Sequence, residues 1–326
     1  MAWAYPHGMI FGLFVPQGWK MELVGIADPQ EKWAKAVEIA QLAESLGYDS
    51  LWAYDHMHNV PVPAHETMFE CWTTMAAISQ RTTTIRLGQM VGCALYRNPA
   101  LLAKITSNID VMSGGRLDWG IGAGWYEHEI KAYGYGEMPP ARDRIRMLRE
   151  TVEIVTAMWS DDDTTYDGEF FSVAGAQCDP KPIQSPRPPV WIGGGGEQLT
   201  LRVVARHADY ANFGGKPHEW AHKAEVLQGH CTAIGRDYDE IGKTWSPEVF
   251  IRETEAEVAA AGSRSFWGED VESWTAGNLV GTPEQVAEKV RTYAELGCTG
   301  FIPWCSDYPD TETMTLFAEQ VMPEFR

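Results

Sequence analysis

An alternation of short apolar, β-prone runs with segments of helical periodicity extends along the whole chain and is repeated about eight times. This alternation is typical of βα units built around a parallel sheet, because each helix returns the chain to the same edge of the sheet. Eight such units predict an α/β fold, the closed (β/α)8 TIM barrel. The predicted strands are Ile10–Phe14, Ser50–Ala53, Ile85–Leu87, Leu117–Ile121, Val190–Ile192, Ala208–Asn212, Glu248–Ile251 and Gly300–Pro303. The predicted helices include 31–47, 98–115 and 282–297.

The length of the chain and two stretches that break the strand–helix alternation indicate its domain organisation. A chain of 326 residues fits one closed barrel, so we expect a single TIM-barrel domain over residues 1–326. Two stretches, at about 160–189 and about 253–281, do not fit the alternation and are interpreted as insertions at the C-terminal face of the barrel. The second stretch carries the aromatic residues Phe266, Trp267 and Trp274.

Charge and cysteine use exclude several classes of protein. The formal net charge is −19, whereas a nucleic-acid partner requires a basic stripe that neutralises phosphates, so we expect none. Six cysteines are scattered without a C-x-x-C pair, which indicates a reducing, cytoplasmic setting. No signal-peptide pattern and no run of about eighteen apolar residues is found, so we expect a soluble protein without a membrane partner.

The stretch "SLWAYDHMHN" places Asp55, His56 and His58 directly after the second predicted strand. Active-site residues of a TIM barrel lie at the carboxyl ends of its strands. A histidine beside a carboxylate is suited to general acid–base work near neutral pH, although a histidine that only caps a loop is an equal alternative. His56 and His58 also form an H-x-H pair, but the strand ends offer no further ligands for a metal, and we expect none.

Four consecutive glycines, Gly193, Gly194, Gly195 and Gly196, separate the fifth predicted strand from an amphipathic helix. Glycines allow backbone N–H groups to converge near a helix N-terminus, where the partial positive charge favours phosphate. A flexible turn is the alternative. The position after the fifth strand favours phosphate binding.

The stretch "LDWGIGAGWYEHE" resembles a dinucleotide-binding loop at first, because Gly120, Gly122 and Gly124 alternate. The dinucleotide fingerprint needs a sixth-position glycine for close helix packing, and Trp125 stands there instead. We therefore reject that interpretation. Ala123 and Gly124 leave room for a flat ring against the backbone, with Trp125 and Tyr126 as walls, although aromatic residues are more often part of the core.

Two further motifs are weaker. Gly88, Gln89 and Met90 follow the third predicted strand directly, but an ordinary βα loop explains them equally well. The stretch "PHEWAH" matches the H-E-x-x-H motif of zinc peptidases at His218 and His222. Because Pro217 belongs at the first turn of its helix, the motif falls at a frayed helix start, and zinc proteolysis is only a remote alternative.

Taken together, these segments resemble the bacterial-luciferase-like TIM-barrel oxidoreductases, in particular the branch that uses the deazaflavin coenzyme F420. The resemblance extends over nearly the whole chain and rests on the order and spacing of several segments. These segments are "FGLFVPQGW", "SLWAYDHMH", "TTIRLGQMVGCALYRNPALLAKITSNIDVMSGGRL", "GIGAGWYEHEIKAYGYGEMPPARDRIRMLRETVEIVTAMW", "KPIQSPRPPVWIGGGGEQLTLRVVARHAD" and "VGTPEQVAEKV".

The resemblance implies a cofactor ring at the C-terminal face, with its phosphate on the turn Gly193–Gly196. It implies that the Gly88–Met90 loop backs the ring through a bulge with a non-proline cis peptide, and that Asp55 and His56 are the catalytic acid–base residues. The sugar-phosphate dehydrogenase of this family has a glutamate where Trp125 stands, so the resemblance is closer to the reductase and hydride-transferase members. The remaining cofactor-binding candidates are Gly88, Gln89, Met90, Ala123, Gly124 and Trp125.

The predicted function is F420-dependent transfer of a hydride to or from a hydrophobic or aromatic organic substrate, with His56 as the proton donor. Predicted substrate-binding residues are Trp19, Trp52, Tyr126 and Trp267, with Phe266 and Trp274 as further walls. Arg97 and Lys216 are candidate cations for the anionic cofactor tail. The alternatives are an FMN-dependent monooxygenase of the same superfamily and a non-catalytic cofactor-binding protein. The resemblance also implies a homodimer.

Overall fold

The structure is a computed structural model that describes Tyr5 and residues 8–326. Its strands are β1 (Ile10–Phe14), β2 (Ser50–Ala53), β3 (Arg86–Gln89), β4 (Gly92–Cys93), β5 (Leu117–Gly122), β6 (Thr164–Asp167), β7 (Ser172–Ala176), β8 (Val190–Gly193), β9 (Tyr210–Asn212), β10 (Gly242–Trp245), β11 (Glu248–Ile251), β12 (Leu279–Gly281), β13 (Gly300–Phe301) and β14 (Trp304–Cys305). Its helices are α1 (Pro29–Ser45), α2 (Cys71–Ser79), α3 (Pro99–Ser113), α4 (Glu127–Ala132), α5 (Ala141–Ser160), α6 (Thr200–His207), α7 (Pro217–Ile234), α8 (Glu255–Ala261), α9 (Val271–Gly277), α10 (Pro283–Glu295) and α11 (Glu312–Leu316).

Eight of these strands close into a parallel ring. In order around the ring they are β1, β2, β3, β5, β8, β9, β10 and β13, and β13 pairs with β1 again. The predicted TIM barrel is therefore confirmed. Because the strands are parallel, their carboxyl ends all meet at one face of the barrel, where the loops that follow β2, β3, β5 and β8 converge.

The seventh barrel strand was assigned wrongly from the sequence. The prediction placed it at Glu248–Ile251, but the ring is completed by β10, Gly242–Trp245, and Glu248–Ile251 pairs instead with β12 and β14 in a separate three-stranded sheet. Residues 242–245 do not form an apolar run because they include Lys243, which is only 5% exposed. Its Nζ lies 4.0 Å from the centre of the Tyr238 ring, so a cation–π contact accommodates a buried charge.

Helix ends follow the capping rules, which is why helices are recognisable in the sequence. Helix α1 begins with Pro29, and the Asp28 side chain accepts hydrogen bonds from two N–H groups of the first turn. Gly47 follows this helix with a φ of 83° and Gly297 follows α10 with a φ of 94°, a left-handed conformation that favours glycine. The predicted helices at 31–47, 98–115 and 282–297 correspond to α1, α3 and α10.

The barrel interior is filled by large aromatic side chains. Trp52 is fully buried, and its ring occupies the space beside two glycines on the neighbouring strands. A Cβ added at Gly12 or Gly88 would lie less than 3 Å from atoms of this ring. These two glycines are therefore needed for Trp52 to pack, and the barrel is a solid core below the face that carries the loops.

The two predicted insertions contain their own elements. The hairpin β6–β7 lies in the first stretch, and helices α8 and α9 lie in the second. The single-domain assignment stays a prediction. Over the described part of the chain, no helix combines the length and the hydropathy needed to cross a membrane.

Candidate active site

A cavity of about 460 Å³ opens at the face where the barrel strands end. Its lining comes from the ends of seven barrel strands, from helices α5 and α6 and from the loop between α8 and α9. The lining residues are Phe14, Trp19, Lys20, Tyr54, Asp55, His56, Met90, Val91, Gly92, Cys93, Tyr96, Gly122, Ala123, Gly124, Trp125, Ala141, Arg144, Ile145, Gly193, Gly194, Thr200, Asn212, Ser246 and Trp267. The structure thus brings together residues from most of the predicted clusters.

The floor of the cavity is the segment that follows β3. The Met90–Val91 peptide is cis, as the family resemblance implies. The Val91 side chain lies against Gly122 and Gly193, where an added Cβ would be 2.6 Å and 2.7 Å from its methyl carbons. Real Cβ atoms do not approach so closely, so both strands must end in glycine for this floor to form.

Two of the predicted residues of this segment lie below the cavity. Gly88 packs on Trp52, and Gln89 is fully buried with its side-chain oxygen accepting the Gly120 N–H. Neither lines the cavity, because β3 continues to Gln89 and the chain reaches the cavity only at Met90. Gly88 and Gln89 therefore shape the floor from beneath, which corrects their assignment as direct cofactor contacts.

The four-glycine run divides in two. Gly193 and Gly194 line the cavity, whereas Gly195 and Gly196 do not. Gly194 has a φ of 122°, and its N–H is already donated to the Asn212 carbonyl at 2.9 Å. Helix α6 begins only at Thr200, so a turn separates the glycines from the helix N-terminus. The phosphate-binding role stays a prediction, now with Thr200 as an additional lining residue.

The two cations proposed from the sequence lie elsewhere. Arg97 is a partly buried partner of Asp55, and Lys216 is an exposed residue at the start of α7 that does not line the cavity. Arg144 of helix α5 lines the cavity instead. One of its N–H groups donates to the Gly124 carbonyl, and its buried Nε has no hydrogen-bond partner among the residues that the structure describes. Arg144 is thus a cation beside the predicted ring site, and it was not among the cations selected from the sequence.

His56 forms the centre of the polar side of the cavity. Its Nδ1 lies 2.8 Å from Oε2 of Glu129, and its ring stacks on Trp19 with the ring centres 4.5 Å apart and the planes at 6°. The histidine side chain is 12% exposed, whereas the Glu129 side chain is fully buried. The carboxylate and the indole together fix the orientation of the imidazole ring.

Glu129 accepts four hydrogen bonds. Its Oε1 accepts the N–H groups of Met57 and His58 at 2.6 and 2.7 Å, and its Oε2 accepts the Tyr96 hydroxyl at 2.5 Å as well as the His56 contact. Burial by itself would raise the pKa of Glu129, but these hydrogen bonds outweigh it and hold the pKa below its ordinary value. Glu129 is therefore an ionised carboxylate, and His56 Nδ1 is the donor of their hydrogen bond.

Neither Glu129 nor Tyr96 was selected from the sequence. Glu129 is the last residue of the quoted stretch "LDWGIGAGWYEHE", and the available signal was a carboxylate in the loop–helix segment that follows a barrel strand. Helix α4 turns it inward beside Ile130, and both are buried. Tyr96 gave no signal, because a tyrosine in a βα loop has no diagnostic spacing.

Asp55 is held by structural contacts. Its two carboxylate oxygens accept hydrogen bonds from the two terminal nitrogens of Arg97, at 2.7 and 2.9 Å, and Oδ2 also accepts a hydrogen bond from the Cys93 N–H at 2.8 Å. Asp55 lines the cavity but is only 3% exposed. This geometry joins the loop after β2 to the segment after β3, and it favours a positioning role for Asp55 over direct proton transfer.

Aromatic side chains wall the other sides of the cavity. Trp19 follows β1, Trp125 follows β5, and Trp267 lies in the loop between α8 and α9. Their ring centres are 6.5 Å apart for Trp19 and Trp267 and 6.4 Å apart for Trp125 and Trp267. Trp125 and Trp267 are both more than half exposed, so they stand at the mouth of the cavity.

Four predicted wall residues lie outside the lining, and one of them, Phe266, lies beside Trp19 with the ring centres 6.2 Å apart. Trp52 fills the barrel core, because its position on β2 points its side chain inward. Trp274 is buried against Phe250 and donates to Glu248 at 2.8 Å. Tyr126 lies beside the site, with its ring centre 5.8 Å from that of His56, but does not line the cavity. The assignments of Trp52 and Trp274 as substrate contacts are therefore corrected.

The H-E-x-x-H stretch does not converge on a metal geometry. Pro217, His218 and Glu219 form the first turn of α7, and His222 is 58% exposed and pairs with Glu197 at 3.3 Å. Across Tyr5 and residues 8–326, no group of three or more His, Cys, Asp or Glu side chains is arranged to hold a metal ion.

The remaining space fits a flat ring system. The Val91 floor and the glycine and alanine residues Gly92, Gly122 and Ala123 present little side-chain bulk, while the rings of Trp19 and Trp125 stand to the sides. Arg144 adds a positive charge to the same lining. A planar, negatively charged cofactor is therefore compatible with this lining.

Comparison with known proteins identifies the family. The sequence profile of the family described as Luciferase-like monooxygenase matches residues 9–275. This chain belongs to that family. An uncharacterized protein of Mycobacterium tuberculosis (strain ATCC 25618 / H37Rv) is 33% identical over 214 residues, which cover 61% of this chain and 74% of that protein. The F420-dependent glucose-6-phosphate dehydrogenase of Amycolatopsis mediterranei (strain U-32) is 25% identical over 327 residues, covering 89% of this chain and 94% of that protein.

Solved structures share the fold. An F420-dependent secondary alcohol dehydrogenase in complex with an F420-acetone adduct superposes with a TM-score of 0.83 at 20% identity, covering 98% of this chain and 100% of that chain. The oxygenating constituent of 3,6-diketocamphane monooxygenase from Pseudomonas putida, in complex with FMN, gives a TM-score of 0.77 at 19% identity, covering 98% and 99%. At these identities the likeness establishes the barrel fold.

Proposed function

We propose that this protein is an F420-dependent oxidoreductase that moves a hydride between the deazaflavin and an uncharged, apolar or aromatic organic substrate. Membership of the luciferase-like family supports the flavin-type cofactor site. The relatives that match about nine-tenths of the chain and are named F420-dependent support the deazaflavin over FMN. When bound, the deazaflavin supplies two-electron hydride chemistry.

The observation that carries the proposal is the buried Glu129–His56 pair facing the cavity. Glu129 holds the proton on Nδ1 of His56, so Nε2 is the nitrogen left to exchange a proton with the substrate. The ionised carboxylate also stabilises the imidazolium form that a proton donor must pass through. Glu129 and Tyr96 are thus positioning residues, and His56 is the catalytic residue.

The cofactor ring is assigned to the floor. Met90, Val91 and Ala123 would contact its face, and Gly124 and Trp125 would border its edge. Arg144, Thr200 and the glycines Gly193 and Gly194 are the groups available for its anionic part. Asp55 and Arg97 would act by holding the loop that carries His56 against the floor segment.

The substrate is assigned to the aromatic side. Trp19, Trp125 and Trp267 offer ring faces and little charge. Because Trp125 occupies the place of a glutamate in the family's sugar-phosphate dehydrogenase, we do not extend the sugar-phosphate substrate of the named relatives to this chain.

The test is a fluorescence titration of the purified protein with F420 and, in parallel, with FMN. We expect micromolar binding of F420 and little binding of FMN. The His56→Ala variant should keep cofactor binding within about twofold and lose turnover of aromatic and enone acceptors with reduced F420. Tight FMN binding without an F420 signal would overturn the proposal. Cofactor binding without turnover in the wild-type protein would support a non-catalytic binder.

The FMN-dependent monooxygenase remains the second candidate, because the family name and the FMN-bound structural neighbour both support it. It predicts oxygen consumption with reduced FMN, which F420-dependent hydride transfer does not need. We also propose a homodimer, to be checked by sedimentation velocity.

A further inference from the structure

Lys20 is a buried cation on the substrate side of the cavity that the mechanism above does not use. It follows Trp19 in the loop after β1, lines the cavity, and has a side chain that is only 7% exposed. Four aromatic rings surround its ammonium group. The distances from Nζ to the ring centres are 4.2 Å for Trp304, 5.4 Å for Phe266, and 5.8 Å for both Trp19 and Tyr54.

The ammonium group of Lys20 has no hydrogen-bond acceptor within the described part of the chain. Among the described residues none accepts a hydrogen bond from its Nζ, and the carboxylate that pairs with it, Glu248, has its Oε1 3.8 Å away. Glu248 uses Oε2 to accept the Trp274 N–H at 2.8 Å, and no group in Tyr5 or residues 8–326 donates a hydrogen bond to its Oε1. The second nearby carboxylate, Glu22, is committed to the backbone N–H groups of residues 17, 18 and 20.

A buried ammonium group with free N–H donors is costly unless a partner satisfies them. The aromatic ring faces stabilise the charge but are not directed acceptors. Burial lowers the pKa of Lys20 to about 8, while Glu248 and Glu22 oppose that shift, so the group still carries its proton at neutral pH. The open side of Lys20 is the cavity itself, so a ligand there is the available source of an acceptor.

The neighbouring charges select the kind of acceptor. Glu248 already pairs with Lys20, and burial raises the pKa of the other nearby carboxyl, Glu22, so this pocket disfavours added negative charge and an anionic ligand would compete with Glu248 for one cation. An uncharged oxygen avoids that competition and still accepts the hydrogen bond. The surrounding rings of Trp19 and Phe266 favour an apolar or aromatic body next to this oxygen.

We propose that Lys20 is a substrate-binding residue that donates a hydrogen bond to the carbonyl oxygen of an uncharged ketone or enone with an apolar or aromatic body. This inference rests on the proposed function, because a carbonyl compound is a substrate only if the protein transfers a hydride to it. The contact between Lys20 and the carbonyl oxygen can nevertheless be measured without cofactor. Lys20 thus narrows the substrate class from apolar organic molecules to uncharged carbonyl compounds.

The experiment compares three probes of similar shape by ligand-observed NMR titration: acetophenone, α-methylstyrene, in which a methylene replaces the oxygen, and benzoate. The wild-type protein should bind acetophenone about tenfold more tightly than α-methylstyrene, and also more tightly than benzoate. Lys20→Met, which keeps the length of the side chain, should weaken acetophenone about tenfold and leave α-methylstyrene within about twofold. The matched surface variant Lys35→Met should change neither.

Several results would overturn the inference. Equal wild-type affinity for acetophenone and α-methylstyrene would refute the carbonyl contact, and this comparison needs no variant to fold. Tighter binding of benzoate would refute the selection for an uncharged oxygen. An unchanged acetophenone affinity in folded Lys20→Met protein would remove Lys20 from the site. Failure of the proposed function would show in the F420 titration and not in these measurements, because the three probes are titrated in the absence of cofactor.

Discussion

Replacing Glu129 by glutamine tests the central pair of the proposed site. The substitution keeps the shape of the side chain and removes its charge. The amide oxygen can still accept the N–H groups of Met57 and His58, while its NH2 group then faces His56 and Tyr96. A tyrosine oxygen and a neutral imidazole nitrogen both accept hydrogen bonds, so the network can survive with the histidine proton moved from Nδ1 to Nε2.

The expected magnitudes differ for stability and for catalysis. Because all four contacts of residue 129 can be re-formed, the free energy of unfolding should fall by only about 1–2 kcal/mol. The imidazolium form of His56 loses its charged partner, and a hydrogen bond to a charged group contributes about 1.5–3 kcal/mol. That loss lowers the rate of a proton-transfer-limited turnover about 10- to 150-fold.

Three measurements check this reasoning. Urea unfolding gives the stability change, and Glu129→Ala is the comparison, because it leaves two buried backbone N–H groups unpaired and should cost about 2–6 kcal/mol. The ¹⁵N chemical shifts of the His56 ring, assigned by difference from His56→Gln, report which nitrogen carries the proton. Single-turnover oxidation of reduced cofactor gives the rate. A wild-type rate in Glu129→Gln protein whose ring proton has moved to Nε2 would refute the role assigned to this pair.

Three further substitutions test the framework. Asp55→Asn should lower the free energy of unfolding by about 1.5–3 kcal/mol in urea titrations, because it removes the charge from the hydrogen bonds to Arg97 and leaves that partly buried arginine paired with Glu70; a loss below about 1 kcal/mol would contradict this. Gly193→Ala should cost about 1–3 kcal/mol and weaken cofactor binding, whereas Gly229→Ala in helix α7, which has open space around its Cβ, should be neutral or stabilising; equal effects would argue against the tight floor. Burial raises the pKa of Glu44, but four hydrogen bonds, three of them from backbone N–H groups, outweigh burial and lower this pKa to about 2. The stabilisation that ionised Glu44 contributes is therefore present above about pH 4.5 and is lost as the pH falls toward 2. The stability difference between wild type and Glu44→Gln, followed by urea titration from pH 7 to pH 3, should therefore shrink with falling pH, and a constant difference would refute this.

The barrel was predictable because its strands are short apolar runs separated by capped helices. The exception is instructive. Residues 242–245 are a central barrel strand, yet their lysine is satisfied by a tyrosine ring that only the folded structure places there. Hydrophobic pattern alone therefore selected Glu248–Ile251, the next apolar run along the chain, which pairs in a different sheet.

The site residues that lie at strand ends could be predicted from the sequence. Those whose role depends on the direction of the side chain or on a tertiary partner could not. His56, Met90, Ala123, Trp125 and Gly193 lie at or shortly after the ends of barrel strands, and all of them line the cavity. Trp52 lies within β2, before the strand ends, and its side chain points into the barrel core instead. The partners that define the chemistry, Glu129 on a short helix and Lys20 in a loop, are set by tertiary contacts for which the sequence carries no spacing rule.

The wedge of Val91 between Gly122 and Gly193 has a consequence for how this scaffold can change. An added methyl group at either glycine collides with the valine, so a single substitution at Gly122 or Gly193 is penalised as long as Val91 is present. Trp125 and Trp267, which stand more than half exposed on two separate loops, are under no such constraint. We therefore expect the range of accepted substrates to change quickly in evolution and the residues that hold the cofactor to change slowly. A mutant library aimed at new acceptor substrates is best confined to Trp125 and Trp267.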